Sequence, residues 1–216
     1  MARIRRSPAN KGRKLPGEIL TTQEITALIR ACGRGPSGLR NAALIAVLFG
    51  AGLRVSEALD LRPSELDLKN GTVRVRQGKG DRSRTVALDS SAQAYVERWL
   101  TTRTHIGLNG RQPLFCTISK GAGLGSRIDS SYVRRLLPRL AEKAGIERRV
   151  HPHALRHSFA TALAHEGKPL PVITAQLGHS STAVTDRYLS KIGPADLVAL
   201  VRDRPRLAEA TELASG

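Results

Sequence analysis

The segment Leu39–Phe49 reads Leu-Arg-Asn-Ala-Ala-Leu-Ile-Ala-Val-Leu-Phe and is apolar almost all round. A helix apolar on every side belongs inside a protein core or inside a membrane. The longest apolar run, Ala42 to Leu53, falls short of the roughly 20 residues that a bilayer needs. The segment is therefore read as a central helix with the other elements packed around it. Gly50 and Gly52 break it and set up a tight turn that carries Arg54. At 216 residues, 40% of them apolar, one domain or one domain plus a tail has enough material for a core. Aromatics are only 3%, so that core is aliphatic.

Elements on either side follow from periodicity and caps. Thr21 and Glu24 form a capping box ahead of Ile25, Leu28 and Ile29, and Cys32-Gly33 with Gly35-Pro36 ends that first helix. Ser56 is the expected cap of a short third helix with Glu57 in its first turn. Leu66–Leu68, Asn70-Gly71 and Thr72–Arg76 read as a hairpin on a type I′ turn, with Val73 and Val75 on one face and Arg74 and Arg76 on the other. Gly78-Lys79-Gly80-Asp81 turns into a third strand, Arg84 to Leu88, leaving Lys79 exposed. Asp89–Thr102 is an amphipathic helix with Ala92, Tyr95, Val96, Trp99 and Leu100 inward. Residues 105–128 form a glycine-rich connection whose Gly121–Gly125 stretch lacks the Gly-Lys-Ser/Thr of a nucleotide loop. Asp129–Ala144 is a helix that Pro138 should kink. A further helix begins near Pro152 and buries Leu155, Phe159 and Leu163. Val172–Leu177 is a short helix closed by Gly178, with His179 at its edge. Leu197, Val198, Leu200 and Val201 make a closing apolar helix. The expected fold is α+β and predominantly helical, with one small three-stranded antiparallel sheet.

Thirty-five basic residues against 18 acidic ones give a net charge of +17, which calls for a polyanionic partner, nucleic acid first. Residues 1–17 hold Arg3, Arg5, Arg6, Lys11, Arg13 and Lys14 with no acid, and are expected to be a disordered arm that lies along phosphates. Arg74 and Arg76 are further candidates for DNA contact. Cys32 and Cys116 stand alone, which suits a reduced cytosolic chain, and no apolar stretch follows the basic N-terminus to make it a signal peptide.

The chemistry concentrates between His153 and Tyr188. Displacement at a phosphodiester builds negative charge on the non-bridging oxygens, and planar guanidiniums meet that charge with paired hydrogen bonds. Arg54 and Arg156 are the candidates. A nucleophile that forms a covalent intermediate conserves the bond energy. Tyr188 fits that role, given a base and a positive field to act on a phenol of pKa about 10. Lys79, on a turn, can protonate the leaving 5′ oxygen. Tyr95 lies on a core stripe and Tyr132 near a helix start, so neither is the better nucleophile. His151, His153 and His157 lack a carboxylate or cysteine at ligand spacing, so they do not read as a zinc site.

Gly52-Leu53-Arg54-Val55-Ser56-Glu57, Gly78-Lys79-Gly80, His153-Ala154-Leu155-Arg156-His157, Leu177-Gly178-His179 and Tyr188, in that order, resemble the catalytic domain of tyrosine recombinases, or phage-type integrases. The likeness covers roughly residues 18–190. It implies the tyrosine recombinase catalytic fold over 18–192, followed by a C-terminal helix and tail over 193–216. Arg54 and Arg156 would clamp the scissile phosphate. His153 would help take the tyrosine proton, His179 would hydrogen-bond a non-bridging oxygen, and Lys79 would be the general acid. Tyr188 would form a 3′-phosphotyrosyl link, with Glu57 orienting the site from behind.

The resemblance implies no metal and no high-energy cofactor. The implied partners are double-stranded DNA and a homotetramer on two DNA sites, with an accessory DNA-bending protein and no membrane. The implied setting is the cytoplasm, on the nucleoid, in the service of a mobile element. Relaxation of DNA in the manner of a type IB topoisomerase shares the chemistry, and a non-catalytic DNA-binding regulator could share the fold. Most members carry a helical core-binding domain ahead of the catalytic one. About 17 residues stand there in this chain, so the expectation is a minimal enzyme or a fragment.

Overall fold

In the computed structural model of the chain, residues 19–76, 83–119, 123–178, 198 and 201–202 are described. Helix α1 (Thr22–Ala31) begins where the sequence sets it. Thr21 Oγ1 accepts from the Glu24 N–H at 3.1 Å, and Glu24 accepts from the Thr21 N–H at 2.8 Å. Helix α2 (Pro36–Gly50) starts earlier than its apolar run suggests. Pro36 does not close α1. It occupies the first turn of α2, where a missing N–H costs nothing and the fixed φ suits the helix.

Every residue of α2 from Arg40 to Gly50 is buried, and α2 packs against α1, α4 and α6, so it is the central element. Burial of each Leu or Ile there is worth about 1.5–3 kcal/mol. Its buried polar groups are satisfied: Arg40 donates to Cys116 O at 3.1 Å and to Asn41 Oδ1 at 2.9 Å, and its guanidinium lies over the Tyr132 ring.

Helix α3 (Val55–Asp60) follows the Gly50–Gly52 turn. Its N-cap residue is Arg54, and the expected cap, Ser56, lies inside the helix and faces solvent. Glu57 takes over the capping work by accepting from the Arg54 N–H. Beyond it come strands β1 (Leu66–Asp67), β2 (Thr72–Arg76) and β3 (Ser83–Ala87), an antiparallel sheet in that order. Asp67 pairs with Thr72, so the β1–β2 connection has four residues, not the two of a type I′ Asn-Gly turn. The Asp67 carboxylate explains the longer loop, because it holds both Asn70 N and Asn70 Nδ2, at 3.0 and 2.7 Å. Register sets Val73 opposite Val86 and Val75 opposite Arg84, so these four share the core face.

Helix α4 (Ser90–His105) is capped by Asp89, and α5 (Ser130–Lys143) by Asp129. Between them the glycine-rich connection is held by Arg103, which is buried and donates to Asn109 O, Pro113 O and Leu114 O at 2.7–2.8 Å. Pro138 lies inside α5, which runs on to Lys143. Helices α6 (Pro152–His165) and α7 (Leu170–Leu177) complete the described set of seven α-helices. Leu155, Phe159 and Leu163 of α6 are fully buried at the expected spacing of four. Of the expected closing helix, Leu197 and Leu200 lie outside the described residues, and Val201 is buried. Among the described residues no helix is long and apolar enough to cross a membrane.

Candidate active site

Three separated segments converge at the C-terminal end of α2. The first is the turn through Gly52, whose φ of +64° lies in the left-handed region. A Cβ there would stand 2.5 Å from Phe159 Cδ1 and 3.0 Å from Leu177 Cδ2. Glycine is thus required twice, by the backbone and by the close approach of α6 and α7. The turn delivers Arg54 to the surface, where its side chain is half exposed.

The second segment is α6. His151 caps it, with Nδ1 accepting from the Ala154 N–H at 3.2 Å, and Pro152 fills the first turn. One turn in, Arg156 is almost fully buried. It donates through NH1 to Gly52 O at 2.5 Å and through NH2 to Leu177 O at 2.7 Å. Burial, then the Arg54 guanidinium beside it, pushes Arg156 down to about 10, with Glu57 acting the other way. It remains a cation at neutral pH. Two of its donors are spent on backbone, which fixes the plane of the fork and leaves the others for a ligand.

The third segment is the sheet. Arg84 of β3 makes a two-pronged pair with Glu57, NH1 to Oε1 at 3.0 Å and NH2 to Oε2 at 2.9 Å. Glu57 also accepts from Arg54, NH1 to Oε1 at 2.8 Å and backbone N to Oε2 at 2.9 Å. Burial pushes the Glu57 carboxyl up, but the hydrogen bonds from Arg84 and Arg54 together outweigh it and hold the group below the ordinary carboxylate value. The result is an Arg–Glu–Arg chain with one net positive charge, which reaches the groove lining through Arg54.

His153 is exposed beside these groups. Its ring lies 6.5 Å from that of His151, in a stacked arrangement, and 4.6 Å from that of His157, edge on. Partial burial and then His157, His151, Arg156 and Arg54 lower its pKa below the ordinary 6.5, so the imidazole is neutral at pH 7 and free to take a proton. Arg54, His153 and Arg156 line one groove of about 490 Å³, joined by His151, Arg134 and Arg149. A basic groove with two fixed guanidiniums and a neutral imidazole can bind a phosphodiester and accept a proton from an attacking hydroxyl.

Of the residues picked out in the sequence, the structure brings together Arg54, Glu57, His153 and Arg156. Lys79, His179, Tyr188 and the arm residues Arg3, Arg5, Arg6, Lys11, Arg13 and Lys14 lie outside the described residues. Arg74 and Arg76 sit on the exposed face of the sheet, away from the groove lining, and Arg76 forms an ion pair with Glu65. Tyr132, set aside as a nucleophile, donates to Asn41 Oδ1 in the core network around Arg40.

Sequence reasoning missed Arg84, His151, Arg134 and Arg149. Arg84 had a readable signal: it alternates with buried Val86, which places a charge on the core face of a strand and demands a buried acid.

The phage integrase family model matches residues 18–192 of the chain. Tyrosine recombinase XerC of Lactobacillus leichmannii is 34% identical over 180 residues, which make up 82% of this chain and 60% of the relative. Tyrosine recombinase XerD of Xanthomonas axonopodis pv. citri (strain 306) is 36% identical over 191 residues, 84% of this chain and 60% of that one. The chain thus spans about 60% of the length of these curated relatives. Among solved structures, XerA recombinase superposes with a TM-score of 0.67 at 31% identity, over 90% of this chain and 68% of XerA. XerH site-specific recombinase bound to difH substrate, a pre-cleavage complex, gives a TM-score of 0.64 at 30% identity, over 82% of this chain and 50% of XerH.

Proposed function

The chain belongs to the phage integrase family and carries a tyrosine recombinase catalytic domain, and on that footing we propose that it cuts and rejoins DNA at specific sites through a 3′-phosphotyrosyl intermediate. The observation that carries this reading is the placement of Arg54 and Arg156 on one groove beside a neutral His153. In the proposed step, Tyr188 Oη attacks phosphorus while the two guanidiniums and His179 bind the non-bridging oxygens. His153 takes the phenolic proton. The bond from phosphorus to the 5′ oxygen breaks, and Lys79 protonates that leaving oxygen to give the free 5′-hydroxyl. Attack by a 5′-hydroxyl from another strand reverses the step, so the ester energy is kept and no nucleotide is consumed.

The wider reading is of four copies on two duplexes, since exchange needs four cut strands. They act on DNA in the cytoplasm, with a DNA-bending protein as helper. The net charge of +17 and the DNA-bound XerH neighbour support the DNA partner.

The test uses the full chain and a supercoiled plasmid carrying the DNA that flanks its own gene, with detergent trapping of covalent complexes. The expected result is a protein joined to a DNA 3′ end. Tyr188→Phe should bind the same DNA and form no adduct. An adduct that persists in Tyr188→Phe means another nucleophile. No adduct from the unaltered chain on any flanking fragment means the recombinase reading is wrong. Recombinant junctions between two plasmids, as opposed to relaxed circles alone, separate strand exchange from topoisomerase-like relaxation.

A further inference from the structure

We propose that Arg84 is a positioning residue of the reaction, acting through Glu57 on Arg54 and through Gly178 on the exit from α7. The proposal rests on the recombinase reading. Arg84 sits on the core face of β3, opposite Val75, and its side chain is mostly buried. Its guanidinium fills both near sides of the Glu57 carboxylate, at 3.0 and 2.9 Å. Arg54 supplies the other two donors, from its side chain and its backbone N–H. An ionised carboxylate has about four acceptor sites, and here all four are taken.

That saturation decides where Arg54 points. With Arg84 absent, Glu57 could rotate and take a second donor of the Arg54 fork, which would neutralise that guanidinium and draw it off the phosphate. With Arg84 present, the carboxylate is held from behind, and Arg54 is braced through one nitrogen while the rest of its fork faces the groove.

A second contact is independent of the first. Gly178 ends α7 with φ +62°, and a Cβ there would lie 2.6 Å from Arg84 Cζ and 2.8 Å from Cδ. The Arg84 side chain therefore packs directly beneath the turn, one residue before His179. The Arg84 Nε–H has no hydrogen-bond partner among the described residues. The fork is thus seated for Glu57 and for Gly178 at the expense of its own third donor. One buried side chain ties β3 to both the Arg54 turn and the α7 exit.

The experiment measures single-turnover cleavage at saturating DNA, the DNA Kd and the melting midpoint, on the flanking-DNA plasmid fragment that the unaltered chain cuts. Arg84→Met keeps the apolar stem and removes the fork. It should slow cleavage by about 10- to 100-fold, as a displacement of about 1 Å in a reacting group does, with Kd changed less than about threefold. Glu57→Gln should be slow as well. The double variant should be no slower than the slower single, because both changes break the same chain.

Arg84→Lys can reach one carboxylate oxygen but not both, so it should also be slow with normal Kd. It decides the question should Arg84→Met not fold. Cleavage at the unaltered rate in both Arg84 variants, a loss confined to Kd, or losses that multiply with Glu57→Gln would overturn the positioning role alone. DNA left uncut by the unaltered chain would overturn the recombinase reading and this role with it.

Discussion

His153 stands between two other imidazoles and two guanidiniums, and each of those neighbours disfavours a second positive charge there. Together with partial burial they lower its pKa, so its neutral, proton-accepting form dominates at pH 6.5 and above. The sign fixes a pH profile. Single-turnover cleavage should stay level as pH falls to about 6.5, the ordinary histidine value, and drop only below it as His153 takes a proton. His157→Asn removes one of the opposing charges, so the acid limb should move up, toward the ordinary value. A limb that stayed in place or moved down in a rate–pH series would count against His153 as the base. Stability follows the same direction. Below about 6.5 the unfolded chain binds this proton more readily than the folded one, so the fold weakens as pH falls. His153 and Arg156 were legible as a pair because they lie on one helix. His151 was not, since its part is to cap that helix with Nδ1, a role that spacing alone does not announce.

Helix α7 has eight residues, too few to be stable alone. It is held by a side chain that the helical pattern leaves unremarked. Gln176 is fully buried. Its Oε1 accepts from the Ala87 N–H at 3.0 Å, and its Nε2 donates to Ala87 O at 2.7 Å and to Ala51 O at 3.1 Å. The amide thus pairs with the free edge of β3 as a further strand would, and at the same time fastens the turn that carries Arg54. Gln176→Ala strands three backbone groups and should cost about 2–4 kcal/mol. That would lower the melting midpoint by roughly 2–4 °C per kcal/mol for a chain of this length. Gln176→Glu should be at least as damaging, because it sets carboxylate oxygen against two carbonyls. Urea unfolding of the three chains checks the order, and a Gln176→Ala midpoint equal to that of the unaltered chain would refute it. The sequence did set the end of this helix, at Gly178, because a C-terminal glycine with positive φ is a local requirement.

At the scale of the whole molecule, the excess of positive charge is not confined to the groove. Six cations lie in residues 1–17, and each phosphate they neutralise releases about 0.9 of a counterion from duplex DNA. Deleting residues 2–17 should weaken DNA binding at moderate salt and make the plot of log affinity against log salt shallower by up to about 5. Unchanged affinity and slope in a titration series would dismiss the arm. The sequence by itself determined the helical class, the small sheet, the capping box at Thr21, the onset of helices near Asp89 and Asp129, and the order of the motifs that hold Arg54, Glu57, His153 and Arg156. All of these are written within a few residues, as a period, a cap or a turn. What only the tertiary structure decided is how these groups are held. Arg84 meets Glu57 across 27 positions, and Arg156 meets Gly52 O across 104. A period tells which side of its element a residue faces. It does not tell which element packs against that side, and the direction of each guanidinium is set by that packing.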